Sequence, residues 1–259
     1  MKFGVCGGPE IGRIAKEAGY DYFEWSVGGL LRPREPEEAF KDALAQVQAV
    51  GLPCPAVNVF LPAEYKLTGP QVDYTALGEY IRVALSRAEQ AGVEVIVFGS
   101  GGARRIPEGF DPARAWDQIF EFCRMAGPIA QQHGVILAVE PLNRAETNLI
   151  NDAGEGAALV REVNHPNIRL LVDGYHWAVE RDTVENITAN GSLIAHAHVA
   201  TRDGRRPPSP GSDENRCAAF FAALHKSGYD GRVSIEGRIE NPAEELPRAL
   251  AVMKQVGGI

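Results

Sequence analysis

The stretch HGVILAVEPLN at residues 133–143 holds the pattern from which the fold is read. A helical segment closes on Gly134, a short apolar run follows at 136–139, and a carboxylate with a proline opens the next connection. The same seam recurs as AGYDYFEWSVGG (18–29), VGLPCPAVNVF (50–60), AGVEVIVFGSGG (91–102), HPNIRLLVDGYHW (165–177), NGSLIAHAHVA (190–200) and SGYDGRVSIEG (227–237). With KFGVCGG at 2–8, that makes eight short strands. The runs are continuously apolar, as expected when other layers cover both faces of a parallel sheet. Gly19, Gly51, Gly92, Gly134 and Gly228 stand where a helix terminus calls for a left-handed residue.

The segments between the strands show helical spacing. Residues 36–50 carry Ala39, Phe40, Ala43, Leu44 and Val47 on one stripe, and 74–91 and 112–133 behave alike, the last opened by Asp111-Pro112. The sixth helical segment, at 183–190, is short. Eight strand–helix units in 259 residues match the roughly 250 residues of a closed (β/α)8 TIM barrel, here expected as a single domain over 1–259. An open doubly wound sheet is the alternative, but KFGVCGGPEIG is a poor version of its Gly-rich phosphate turn. The proline-rich GRRPPSPGS at 204–212 reads as one long functional loop.

Composition narrows the function classes. The chain is 45% hydrophobic and 23% charged, ordinary globular proportions. Its 26 basic residues against 34 acidic ones give a net charge of −8, which disfavours a nucleic-acid partner held through phosphates. No apolar run is long enough to span a membrane, and MKFGVCGGPE has neither a signal-peptide core nor a cleavage site. Cys6, Cys54, Cys123 and Cys217 are widely spaced and expected reduced, which with the rest points to the cytoplasm.

The strand ends carry residues that core packing would not choose. Glu24, Asn58, Glu140, Asp173 with His176 beyond it, His196 and His198, and Glu236 all follow or interrupt apolar runs. One such carboxylate is commonly a helix cap. Three carboxylates and a histidine at one barrel mouth would repel unless a cation joined them. Glu140, Asp173, His198 and Glu236 offer three oxygens and one nitrogen, a hard set suited to Mn²⁺, Mg²⁺ or Co²⁺. His198 lies nearer the mouth and is assigned to the metal; His196, two residues back on the same face, is read as structural.

These strand ends resemble the xylose isomerase-like barrel superfamily, especially its ketose 3-epimerase and hydroxypyruvate isomerase branches. VEPLNRAE, LVDGYHW, HAHVATRDGRR and VSIEG are similar to that family's motifs in order. The resemblance implies Glu140, Asp173, His198 and Glu236 as ligands of one divalent ion, with manganese expected first and magnesium, cobalt or zinc as alternatives. It implies Glu146, His176 and Arg205 as substrate contacts. In the 3-epimerase branch the arginine stands six residues after the histidine ligand, where this chain has Gly204; the role is carried to Arg205, at the hydroxypyruvate isomerase spacing. Self-association as a dimer or tetramer is common in this superfamily.

The chemistry that fits is proton abstraction beside a carbonyl through a metal-stabilised enediolate, with Glu140 and Glu236 as the catalytic pair. The expected function is a sugar isomerase or epimerase acting on a ketose or related carbohydrate, phosphorylated or not. A lyase acting on a keto-sugar or oxidised glycoside through the same deprotonation is the alternative. An apurinic endonuclease-like phosphodiesterase is remote, because strands three and four lack its extra histidines. Binding without turnover is a further reading. The 99–105 loop, GSGGARR, is either an anion cradle or, preferably, a flexible turn with solvated arginines. Trp25 and Trp177 offer either an aromatic wall for a sugar or simple packing, and Glu24 either orients a hydroxyl or pairs with an arginine.

Overall fold

A computed structural model describes residues 1–211 and 214–258. The end of the proline-rich connection, Ser212, lies outside the described residues. The strands are β1 (Lys2–Cys6), β2 (Tyr22–Ser26), β3 (Ala56–Asn58), β4 (Val95–Phe98), β5 (Ile136–Val139), β6 (Ile168–Asp173), β7 (Ile194–Val199) and β8 (Arg232–Ile235). Each pairs in parallel with its neighbours in the chain, and β1 pairs with β8 to close the ring. The open sheet is therefore excluded, and the fold is the (β/α)8 barrel.

Among the described residues the α-helices are α1 (Pro9–Ala18), α2 (Val27–Leu30), α3 (Glu37–Val50), α4 (Tyr74–Ala91), α5 (Gly101–Arg104), α6 (Pro112–Gln132), α7 (Ala153–Val163), α8 (Gly174–Glu180), α9 (Val184–Thr188), α10 (Glu214–Lys226) and α11 (Pro242–Val256). The expected caps form. Asp111 accepts from the Ala113 amide at 2.9 Å, and Gly19 and Gly92 close α1 and α4 at φ 88° and 70°. Phe40, Ala43 and Val47 of the predicted stripe on α3 are buried against the barrel.

Two expectations change. The layer after β6 holds α8 as well as the short α9. The sequence hides α8 because its Gly, Tyr, His and Trp are weak helix formers, and Asp173, accepting from the Tyr175 amide at 2.7 Å, starts it. Strand β2 also runs on to Ser26, so Glu24 sits inside the ring and not at its rim.

The two-residue period of the strands sorts their side chains. Phe23, Val57, Leu137, Val139, Val172, Ala197, Val199, Val233 and Ile235 pack in the large apolar cluster. Ala56, Val95, Val97, Ala138 and Leu171 form a separate small cluster inside the ring. Residues two further along from inward positions also face inward. Asn58 follows Ala56, Glu140 follows Ala138 and Asp173 follows Leu171, while His198 and Glu236 alternate with the outward Ala197 and Ile235. A register shift between Leu170 and Leu171 sets Asp173 level with His198. The barrel is thus apolar along much of its axis and polar at the carboxyl ends of its strands, where barrel chemistry is found.

The lower interior is tightly filled. A Cβ on Gly4 would lie 2.2 Å from the buried Tyr22 ring, whose hydroxyl is 2.9 Å from Ser234 Oγ. Gly4→Ala is expected to destabilise the fold by about 1–3 kcal/mol through overpacking. Thermal denaturation measures it, and an unshifted midpoint contradicts the contact.

Candidate metal centre

Four strand ends converge. Glu140, Asp173, His198 and Glu236 each present one ligand atom, and these atoms all lie within 4.8 Å of one another. His198 Nδ1 is 3.4 Å from Glu140 Oε1 and 3.6 Å from Glu236 Oε2. Glu140, Asp173 and His198 are buried, while Glu236 is partly open to the mouth. Glu140 Oε1, Asp173 Oδ2 and His198 Nδ1 are buried atoms without a hydrogen-bond partner in the protein. Such atoms are costly unless something pairs with them. Three acidic oxygens and an imidazole nitrogen gathered this way fit a divalent cation.

The electrostatics carry the same message. Burial, then the Glu236 charge, raises the Glu140 carboxyl above its ordinary range. Burial followed by the Glu140 charge pushes Asp173 up to about 7. Burial also opposes ionisation of Glu236, but His198 and Arg205 outweigh it and hold that carboxyl below the usual range. Glu236 thus opposes ionisation of Glu140, and Glu140 that of Asp173, a conflict that a shared cation relieves.

Arg205 reaches into the mouth from the long connection after β7. Its Nη2 lies 2.5 Å from Glu236 Oε2 and 3.7 Å from Asp173 Oδ2, and its Nη1 lies 3.2 Å from Glu146 Oε1. Its guanidinium stacks 4.6 Å from the centre of the Tyr175 ring. Glu146 is held by Asn143 Nδ2 at 3.1 Å. His176 sits deeper. Its Nδ1 accepts from the Asn143 amide at 3.0 Å, and its Nε2 is 3.6 Å from Asp173 Oδ2. Burial, then the Arg205 charge, lowers its pKa to about 3, so it stays neutral. It lines a small cavity of about 10 Å³ with Asp173, Asn151 and Trp177.

Two adjoining spaces lead from the rim. One, of about 480 Å³, is lined by Glu146, Tyr175, Arg205, Glu236 and Arg238. The other, of about 370 Å³, lies between Val59–Ala63 and Gly99–Gly102 and also touches Glu140 and Glu236. Both are in the size range of small-molecule sites.

Several expectations need correction. Arg104 is not solvated: it is fully buried and donates to the carbonyls of Phe98 (3.3 Å), Glu140 (2.7 Å) and Ile150 (3.3 Å). The Gly-rich stretch is therefore a short helix tied down from behind. Only Arg105 is near the surface, donating to the Ala145 carbonyl at 3.0 Å. Glu24 meets no arginine and no open space. It is fully buried, with His196 Nε2 at 2.8 Å, His198 Nε2 at 3.0 Å and Ser234 Oγ at 2.7 Å. Trp177 packs on Phe220, with ring centres 6.0 Å apart, and Trp25 lies against Gly8 and Gly29. Sequence reasoning gave no role to Asn58, whose Nδ2 donates to Glu236 Oε1 at 2.9 Å, nor to Tyr175 or Asn143. Asn58 was visible as a polar end to an apolar run; the partners of the others come only from folding.

Residues 13–256 match the family model described as the xylose isomerase-like TIM barrel. The 3-dehydro-D-guloside 4-epimerase of Escherichia coli (strain K12) is 28% identical over 93% of this chain and 92% of its own length. The L-ribulose 3-epimerase of Methylomonas sp. (strain DH-1) is 29% identical over 86% of this chain and 75% of its own. A D-psicose 3-epimerase structure from Clostridium cellulolyticum H10 superposes with a TM-score of 0.85 at 23% identity, covering 99% of both chains. The two relatives named here are sugar epimerases, and the chain belongs to the xylose isomerase-like TIM barrel family.

Proposed function

We propose that this protein is a divalent-metal-dependent epimerase or isomerase of a ketose or of an oxidised glycoside, acting by proton transfer beside a carbonyl. The observation that carries the reading is the convergence of Glu140, Asp173, His198 and Glu236 within 4.8 Å, with buried unpartnered atoms on three of them. Manganese is the ion expected first, given three oxygen donors and one nitrogen; magnesium, cobalt and zinc are the alternatives. The substrate classes follow from the relatives, which act on a 3-dehydro-guloside and on L-ribulose. No helix among the described residues is long and apolar enough to cross a membrane, and Cys6, Cys54 and Cys123 are free thiols. We therefore assign a reducing compartment, the cytoplasm.

A divalent cation held by Glu140, Asp173, His198 and Glu236 would supply Lewis-acid polarisation of a carbonyl, making the C–H proton on the adjacent carbon easier to remove. The chain's own residues do the rest. Glu140 and Glu236 come from strands three places apart in the ring, and they can address a sugar from two sides. One takes a proton and the other returns one to the opposite face, which inverts the centre. Arg205 holds the Glu236 carboxylate in place while Asn58 donates to its other oxygen. Glu146 and Arg205 line the groove and would fix substrate hydroxyls. His176, neutral and enclosed, presents Nε2 beside Asp173 and would set the lower boundary of the sugar.

Incubation of ketoses and keto-glycosides in D₂O with Mn²⁺, followed by NMR, is expected to show deuterium entering the carbon next to the carbonyl. No label from any of them overturns the reading. Glu236→Gln should slow exchange by about 10²-fold or more while leaving the melting midpoint close to that of the parent. An unsaturated product in place of a labelled sugar would select the lyase.

The metal set also depends on a close approach. A Cβ on Gly99 would fall 2.4 Å from Glu140 Oε2, the movable end of a flexible side chain. Gly99→Ala should therefore keep the fold yet weaken Mn²⁺ binding by roughly tenfold or more, since Glu140 must turn away. Titration calorimetry gives the affinity, and an unchanged value argues against Glu140 as a ligand.

A further inference from the structure

His198 has two ring nitrogens facing different environments. Nδ1 points at Glu140 and Glu236 without a hydrogen-bond partner, and Nε2 points down the barrel to Glu24 Oε1 at 3.0 Å. Glu24 is fully buried, and each of its oxygens is engaged. Oε2 takes His196 Nε2 at 2.8 Å and Ser234 Oγ at 2.7 Å, and Ser234 Oγ is itself 2.9 Å from the Tyr22 hydroxyl. A carboxylate only accepts hydrogen bonds, so the ring nitrogens facing it carry the hydrogens. Because Nε2 keeps its hydrogen toward Glu24, Nδ1 is the nitrogen that gives up its proton and turns its lone pair to a cation in the acidic cluster.

We propose that Glu24 is a positioning residue for the metal centre: it fixes the tautomer and the ring orientation of His198 so that Nδ1 is presented as a ligand, and Ser234 and Tyr22 lock Glu24 from below. The proposal rests on the metal-dependent reading above and adds a buried carboxylate that touches neither substrate nor ion. The arrangement is a carboxylate–histidine–metal relay, in which the outer carboxylate raises the basicity of the ligand nitrogen and removes its rotational freedom. His196 completes the lock. Its Nε2 holds Oε2, so Glu24 cannot swing both oxygens toward His198 or toward the mouth. The carboxylate is supplied by β2, while the histidine comes from β7, across the interior of the ring.

The test separates geometry from charge. Glu24→Gln keeps length and loses the charge; Glu24→Asp keeps the charge and loses reach. Mn²⁺ and Zn²⁺ affinities of the folded, metal-free proteins are measured by titration calorimetry, with circular dichroism as the check on folding. Both variants are expected to bind about 10- to 100-fold more weakly than the parent. The same substitutions in a His198→Gln background are expected to cost little more, because Glu24 acts through that ring. Parental affinity in Glu24→Asp, or an equal loss with and without His198, overturns the proposal in favour of a plain charge effect. If the Glu24 variants do not fold, Ser234→Ala removes one anchor of the carboxylate: a measurable loss of affinity supports the proposal, and none overturns it. Failure of the parent protein to bind either ion at this site defeats the functional reading and this inference together, whereas normal parental binding with unaffected variants defeats the inference alone.

Discussion

Like charges gathered at the end of a closed apolar tube are the constraint around which this molecule is arranged. Glu140, Asp173 and Glu236 lie closer together than mutual repulsion favours, and burial strips away the water that would screen them. Each compensating group comes from a different part of the chain. His198 faces Glu140 and Glu236 from β7, Arg205 bridges Glu236 and Asp173 from the following connection, and Asn58 donates from β3. The set remains short of partners for Glu140 Oε1 and Asp173 Oδ2, which is the physical reason for reading it as a cation cage.

Strand geometry turns that constraint into precise placement. Successive residues alternate between the helical layer and the interior, so a carboxylate one step beyond an outward Val or Ile must face the axis. The parallel register then fixes height: Asp173 pairs with His198, His198 pairs with Ser234, and Glu236 stands one layer above. Arg104 secures the back of the cage. By donating to the carbonyls of Phe98, Glu140 and Ile150, it ties the ends of β4 and β5 to the loop that covers them.

Much of this was legible in the sequence. Short, mainly apolar runs closed by turn signals marked all eight strands, because a parallel barrel covers both faces of its strands with other layers. Carboxylates placed directly after those runs gave the acidic cluster, since nothing in a core would favour them there. What stayed hidden depended on partners distant in the chain. Glu24 looked like a rim residue, because its histidines and serine lie on β7 and β8, far along the sequence. Arg104 looked solvated, because a Gly-rich turn normally exposes its arginines and its three acceptors are main-chain atoms that no side-chain pattern announces. Helix α8 was missed because its start is set by the Asp173 cap and not by composition.

The cage draws all of its candidate ligands from the second half of the barrel, while the rim formed by residues 59–63 and 99–102 belongs to the first half and contributes none. Val59 marks that rim: it is 58% exposed and held at φ 55°, a conformation costly for a β-branched side chain. Such a division decouples two kinds of inheritance. Under the proposed function, a lineage could reshape that side of the sugar groove without moving any candidate ligand. Laboratory evolution aimed at a new carbohydrate would accordingly begin at the first-half rim.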